Sequence, residues 1–433
     1  MQQSIAKNDP KVLRAWAMFD WANSAYALII ATAIFPVYFV KVTPDMISIG
    51  NRELSNAAIF SFAVSLSYII IALLSPLMSG MADQSGRRMW FLKFFTTLGA
   101  LSCMTMFFFS NEMHLWLGTF AFIFATLGFA GSLVFYDSYL PIIATEDRYD
   151  RLSAKGYALG YIGSVILMLF IIFTMQKPEI FGISDPTLPA RIGFLLVGVW
   201  WIGWAQYTFK YLPKDSKSRF DLNTMTHGYK GVQQVFRETK EMPNLRRFLL
   251  SFFFYSAGLQ TVIYLATIFA ESELKMETGE LIIVVLLIQL IAVVGAFIFA
   301  KTSEIIGNKK ALLIQIAVWM LICCGAYFTQ NKPTFYMLAA TVGMMLGGIQ
   351  ALSRASYSKL LREDENDVTS YFSLYDVVYK ISIISGTFIF GLVMQVTGNM
   401  RYSVLALTIL FLIGFVVMLS TRIENAEKLK NIS

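Results

Sequence analysis

RAWAMFDWANSAYALIIATAIFPVYFVK, residues 14–41, holds the first long apolar run of the chain. Residues 15–40 carry one charged side chain, Asp20. At about 1.5 Å per residue, a helix of that length outreaches the roughly 30 Å hydrocarbon core of a bilayer. The stretch therefore reads as a membrane span, in which a carboxylate is costly and usually functional. Asn23 and Ser24 follow Asp20 at i+3 and i+4, so the three polar groups share one helical face. That face requires a cavity or a partner helix.

The whole chain has the composition of a membrane protein. Of 433 residues, 56% are hydrophobic and 15% charged, and the mean hydropathy is +0.60, whereas soluble domains carry about 25% charged residues. The first apolar run is too long for a cleavable signal, and no small-residue cleavage site follows it. Cys103, Cys323 and Cys324 lie inside apolar runs without C-x-x-C spacing, which assigns them to packing. His114 and His227 each stand alone in short polar segments. No metal site and no cofactor are expected.

Twelve apolar runs can be counted, at roughly 16–40, 56–79, 90–110, 113–140, 154–175, 190–212, 247–270, 280–300, 311–329, 334–353, 371–396 and 402–421. Lysine and arginine crowd into alternate connections, among them Arg87 with Arg88, Arg148 with Arg151, the 210–247 stretch, and Lys309 with Lys310. The positive-inside rule then places both termini in the cytoplasm, and an even number of spans agrees with that. The net charge of +7 is thus a topology signal, and no nucleic-acid partner is expected. The longest polar segment divides the spans six and six. This gives an N-terminal six-helix bundle (1–212), a cytoplasmic central loop (213–246) and a C-terminal six-helix bundle (247–433). Within the loop, Val232, Val235, Phe236 and Thr239 share one face of a short helix expected on the membrane surface, the alternative being a plain linker.

The halves resemble each other. SGMADQSGRRMW (79–90) follows the second run and AKTSEIIGNKKAL (300–312) the eighth, which pairs Asp83 with Glu304, Gly86 with Gly307 and, within one position, Arg88 with Lys309. A glycine just past a helix permits a left-handed turn, and the acid and bases can pair across it or cap a neighbouring helix end. At nearly the same offset, DSYLP (137–141) ends the fourth run and ASYSK (355–359) the tenth. Repeated halves about a midplane site are a common build of secondary transporters.

SGMADQSGRR resembles the loop signature G-x-x-x-D-[R/K]-x-G-x-[R/K] of the major facilitator superfamily, with Asp83, Gly86 and Arg88 matching, Ser79 in place of the first glycine and Gln84 in place of a basic residue. Three further stretches, FDWANSAY (19–26), YDSYLP (136–141) followed by SAKGYALGYIG (153–163), and GGIQALSRASYS (347–358), look like the subgroup related to the vacuolar amino-acid effluxers of fungi. The resemblance implies an all-α polytopic fold of twelve transmembrane helices in two six-helix bundles, alternating access between them, and a cavity lined by the first, fourth, seventh and tenth helices.

Polar candidates for substrate or proton binding are Asp20, Asn23, Ser24, Gln260, Gln350 and Lys380. Asp20 is either a proton or cation site or a structural carboxylate bonded to a neighbouring helix. Lys380 lies near mid-depth with Asp376 one turn away, so the two either neutralise each other or leave Lys380 to receive a substrate carboxylate. Gating candidates are Asp83, Gly86, Arg87, Arg88, Asp137, Glu304, Arg354 and Asp376. Asp137 and Arg354 close the fourth and tenth runs at equivalent places, either as an ionic gate or as solvated surface charges. Gly156, Gly160 and Gly163 in the fifth run, and Gly343 and Gly347 in the tenth, form small-residue stripes for close helix packing.

The expected function is a secondary transporter of the bacterial cytoplasmic (inner) membrane. It would act as a monomer on a small, amino-acid-like solute by efflux or exchange, with protons as coupling partner through Asp20. The alternatives are a lipid-moving or non-transporting protein of the same fold, or a membrane-embedded transferase. An enzyme is disfavoured by the absence of clustered histidine, cysteine or metal-spaced acids. ATP drive is disfavoured by the lack of a G-x-x-x-x-G-K-[ST] loop.

Overall fold

A computed structural model describes residues 7–50, 52–215, 233–361 and 367–423. The first span is a compound one: α1 (Pro10–Ala25), a π-helix (Tyr26–Ala33) and α2 (Phe35–Val42). An antiparallel hairpin follows, β1 (Met46–Ile49) and β2 (Arg52–Ser55), with Met46 opposite Ser55. Then come α3 (Asn56–Ser85), α4 (Arg88–Thr105), α5 (Leu115–Asp137), a single turn α6 (Leu140–Ile143), α7 (Tyr149–Gln176) and α8 (Leu188–Tyr211). The second half supplies α9 (Pro243–Leu274), α10 (Thr278–Ile306), α11 (Asn308–Phe328), α12 (Lys332–Leu360), α13 (Val368–Thr397) and α14 (Met400–Leu419). Among the described residues, 11 helices are long and apolar enough to cross a membrane, and the bent first pair makes up to 12. Eleven of the twelve apolar runs correspond to these helices, and the first corresponds to the bent pair. The hairpin is an addition to the all-helical expectation.

Helix ends follow local chemistry. The Ser55 side chain accepts from Ala58 N at 3.2 Å to open α3, and Asn331 accepts from Thr334 N at 2.9 Å to open α12. Glu277 and Glu280 form a reciprocal capping box at the start of α10. In the first span Pro36 falls two residues past Ile34, where the helix bends by 42°. Proline lacks an amide hydrogen and its ring crowds the preceding turn.

Within the described residues the chain forms two compact units, one from 10–137 and 159–215, the other from 7–9, 138–158 and 233–423. Residues 138–158, which link α5 to α7 and include the first turns of α7, pack into the second unit. So do helical residues 233–241, where Val235 and Thr239 are buried, Phe236 is exposed, and Tyr371 donates to Glu238 at 2.9 Å. This part of the central loop is the short helix expected there, and it is docked on protein through Val235, Thr239 and Glu238. Val232 lies outside the described residues.

In the first unit Phe35 stacks on Phe122 at 5.2 Å and meets Phe194 edge-on at 5.4 Å. In the second, Trp319 stacks on Phe411 at 5.7 Å and Phe252 on Tyr375 at 4.2 Å. The glycine stripes are packing devices. A Cβ on Gly343 would lie 2.6 Å from Ile288 O, and one on Gly347 would fall on Ala292 O. Gly347→Val is therefore expected to lower stability by about 1–3 kcal/mol through overpacking. Gly203, with open space around it, is expected to gain about 0.5–1 kcal/mol as alanine. Thermal unfolding of the two purified variants in detergent checks both signs.

Candidate functional site

Asp20 lies on the tenth residue after Pro10 in α1 and is only 4% exposed. Tyr136, on the last turn of α5, donates its hydroxyl to Asp20 Oδ2 at 2.9 Å. The tyrosine ring is itself held: it stacks on Trp16 at 4.6 Å, lies 4.7 Å from Phe19, and its backbone carbonyl accepts from Trp16 Nε1 at 3.0 Å. An aromatic wall thus fixes a hydrogen-bond donor against a buried carboxylate.

One turn on, Asn23 is buried, and its Nδ2 has no hydrogen-bond partner among the described residues. Such a buried donor costs about 1–3 kcal/mol and is suited to an acceptor brought from outside. Ser24 meets α7 at Gly160, where an added Cβ would collide with its hydroxyl. The small-residue stripe of the fifth run is what brings α7 up to this polar face.

The second unit holds the remaining binding candidates. Lys380, 2% exposed, is ion-paired with Asp376 along α13. The i,i+4 spacing of these two side chains thus brings them into contact. Asp20 is thus bonded by Tyr136, and Lys380 by Asp376, each inside its own unit. Gln260 is buried with Nε2 lacking a partner among the described residues, and Gln350 is half-buried. None of these lines an apolar cavity of about 40 Å³ inside this unit, walled by Leu265, Phe269, Ile322, Phe335 and Phe390 among others. Thr261 on its wall donates its hydroxyl to Ala257 O at 2.7 Å. The cavity is lined almost wholly by apolar side chains.

The repeated loop is built differently in its two copies. In the first, Gly86 takes φ +62° and caps α3, and Arg88 returns to Asp83 at 3.0 Å. Arg87 stands at the N-cap of α4. The next two amides, Met89 N and Trp90 N, donate to Asp215 at 2.7 and 2.9 Å, so the start of the central loop is pinned to this turn. Burial raises the Asp215 carboxyl from its ordinary value, against the lowering effect of those amides, Arg88 and Lys93. In the second copy Gly307 takes φ +86° with ψ 153°, a region essentially reserved for glycine. There Glu304 pairs with Arg151, while Lys309 caps α14 by donating to Leu419 O at 2.7 Å. Gly86→Ala places a side chain in the left-handed region and is expected to cost about 1–2 kcal/mol, read as a lower unfolding temperature.

Arg354 is 1% exposed, which rules out a solvated surface charge. Its Nε donates to Ser153 Oγ at 2.9 Å and its Nη2 to Ser153 O at 3.1 Å, with the guanidinium 4.3 Å from the Tyr157 ring centre. Asp137 ends α5 in the first unit.

Beside Arg354 lies a cluster that sequence reasoning missed. Lys359 Nζ donates to Asp150 Oδ2 and to Asn308 Oδ1, both at 2.8 Å. Asn308 Nδ2 donates to Asp150 Oδ1 at 2.8 Å and to Ser356 Oγ at 3.1 Å, and Ser303 Oγ donates to Asp150 Oδ2 at 2.8 Å. All five side chains are buried or nearly so. The pair is therefore fully bonded, as a buried charge must be. It fastens the first turn of α7 to the ends of α10, α11 and α12.

A family model described as "Vacuole effluxer Atg22 like" matches residues 8–431. The chain belongs to that family. It is 29% identical over 416 residues to the "Uncharacterized MFS-type transporter YxiO" of Bacillus subtilis (strain 168), covering 96% of this chain and 95% of that one. It is 23% identical to "Autophagy-related protein 22" of Yarrowia lipolytica, covering 87% and 77%. Among solved structures, the major facilitator transporter FucP in the outward conformation superposes with a TM-score of 0.70 at 15% identity, over 95% of this chain and 98% of that one. The protein is thus a multi-pass integral membrane transporter of the major facilitator fold, and not an enzyme.

Proposed function

We propose that this transporter moves a small amino-acid-like solute by alternating access, as proton-coupled efflux or exchange, with Asp20 as the proton site. The observation that carries the reading is the buried Asp20 carboxylate held by Tyr136, one turn from the unpartnered Asn23 amide. A carboxyl so placed changes its proton affinity with any movement that adds or removes water or the tyrosine donor. The Asn23 donor suits a solute carboxylate or carbonyl, and Gln260 offers a second such donor in its own unit. Alternating access also needs a fastening that opens and closes. The Asp150–Lys359–Asn308 cluster, holding the first turn of α7 to the ends of α10, α11 and α12, is our candidate, with Arg354 and the Glu304–Arg151 pair beside it. The basic connections support cytoplasmic termini, and a monomer in a bacterial cytoplasmic membrane is the simplest setting.

Uptake and counterflow in proteoliposomes, run over a panel of amino acids and short peptides with and without a pH gradient, tests the reading. Saturable counterflow of at least one amino-acid-like solute is expected. Failure of every member of the panel, with the protein folded, overturns the substrate class.

A further inference from the structure

The first span changes register over a stretch that holds no helix breaker of its own, with Pro36 three residues beyond its end. Tyr26–Ala33 reads YALIIATA, without glycine or proline, and four of its eight residues are alanine or leucine, the strongest helix formers. It nevertheless pairs in the π register. The wide turn is closed by Ile34 N donating to Ile29 O at 2.9 Å, and the Thr32 hydroxyl spans the same five residues to Ala27 O at 2.7 Å. π-Helix is rare and mostly confined to single-turn bulges, frequently at functional sites. Eight residues of it, in a segment whose composition favours α, mark a conflict between local preference and tertiary fastening.

The fastenings can be named. Before the segment, Trp21 O accepts from Trp200 Nε1 at 3.0 Å and Ser24 abuts Gly160, which hold α1 to α8 and α7. Within it, Tyr26 Oη and Thr126 Oγ1 are 2.7 Å apart. Beyond it, Phe35 is stacked on Phe122, and Tyr38 donates its hydroxyl to Phe109 O at 2.6 Å. The fastening beyond the segment is one-sided, because Val37 is 64% exposed on the opposite face of α2. The 42° bend falls at Ile34, where Pro36 two residues on withholds an amide hydrogen and these contacts hold α2 on one side.

We propose that Tyr26–Ala33 is a register-changing hinge, which converts between π and α pairing and swings α2 as it does so. Conversion to α tightens the turn, rotates everything beyond Ala33 relative to Asp20 and Asn23, and releases the Phe35 and Tyr38 contacts. The hinge thereby links the state of the Asp20 face to the far end of the same span. Its use in a transport cycle rests on the function proposed above, but its existence does not.

The test therefore reads the helix and needs no solute. Spin labels on cysteines placed at Val37 and Ile180, both exposed and both in the first unit, report the α2 position in liposomes, with Cys324 replaced by serine. Two distance populations are expected. Thr32→Val, which removes a bond the π turn uses, is expected to enlarge the second population several-fold, and Tyr38→Phe to do so independently. Amide hydrogen exchange over 26–34 is expected to rise in parallel in both variants. A single population, unmoved by either substitution and with exchange unchanged, overturns the proposal. That outcome would leave solute counterflow intact, so the failure of the hinge and the failure of the transport reading are separable.

Discussion

Asp20→Asn is expected to abolish gradient-driven transport while leaving solute exchange in place. The amide is nearly the size of the carboxylate and keeps an acceptor for the Tyr136 hydroxyl at the 2.9 Å position, so the aromatic wall of Trp16, Phe19 and Tyr136 stays packed. What it loses is the ability to gain and release a proton. Exchange, which returns the carrier loaded on both strokes, needs no such step. Tyr136→Phe separates proton affinity from structure, because it keeps the ring stacked on Trp16 and removes only the donor. The pH profile of transport is expected to change in Tyr136→Phe and to flatten in Asp20→Asn. Wild-type profiles in both variants would remove Asp20 from the mechanism.

The second large effect is expected at Lys359. Removing it by Lys359→Ala leaves Asp150 buried with Asn308 and Ser303 but without its cation. Breaking a buried ion pair costs about 3–5 kcal/mol, most of it the uncompensated charge. At about 2–4 °C per kcal/mol for a unit of this size, the unfolding temperature falls by about 10 °C. Asp150→Asn in the same chain removes the stranded charge, and the double variant Asp150→Asn/Lys359→Met is expected to recover much of the loss. If the cluster is also the fastening of the first turn of α7, a cysteine at Ser153 becomes reactive to thiol reagents in Lys359→Ala and is shielded again in the double variant. Additive losses, with no recovery, would show that the two side chains act separately.

The spans were legible because long apolar runs leave a bilayer few alternatives, and Asp20 because one charge in such a run has nothing to hide among. The Asp376–Lys380 pair was legible from its i,i+4 spacing alone. Tyr136 was not assigned as the partner of Asp20, since the two meet only through the packing of α1 on α5. Asp150 lay in a short connection rich in arginine, where an acid reads as solvated, and Asn308 and Ser303 carry no charge to count. The burial of Arg354 was hidden for the same reason: a basic residue near a helix end looks like a topology signal until a neighbouring segment covers it. The π register of Tyr26–Ala33 had no local signal, being imposed by contacts with Thr126, Phe122 and Phe109, although Pro36 marked the bend beyond it. The repeat foretold both turns, but the charges flanking Gly86 close on each other while those flanking Gly307 reach to Arg151 and Leu419.

The central claim is that solute movement and proton movement are one process passing through Asp20. Its most direct test is the internal pH of sealed proteoliposomes, followed with a trapped dye as the solute identified by counterflow is added outside. Wild type is predicted to give a solute-dependent pH change that is absent in Asp20→Asn although counterflow persists. Solute movement with no pH change in wild type, or an equal change in Asp20→Asn, would contradict it.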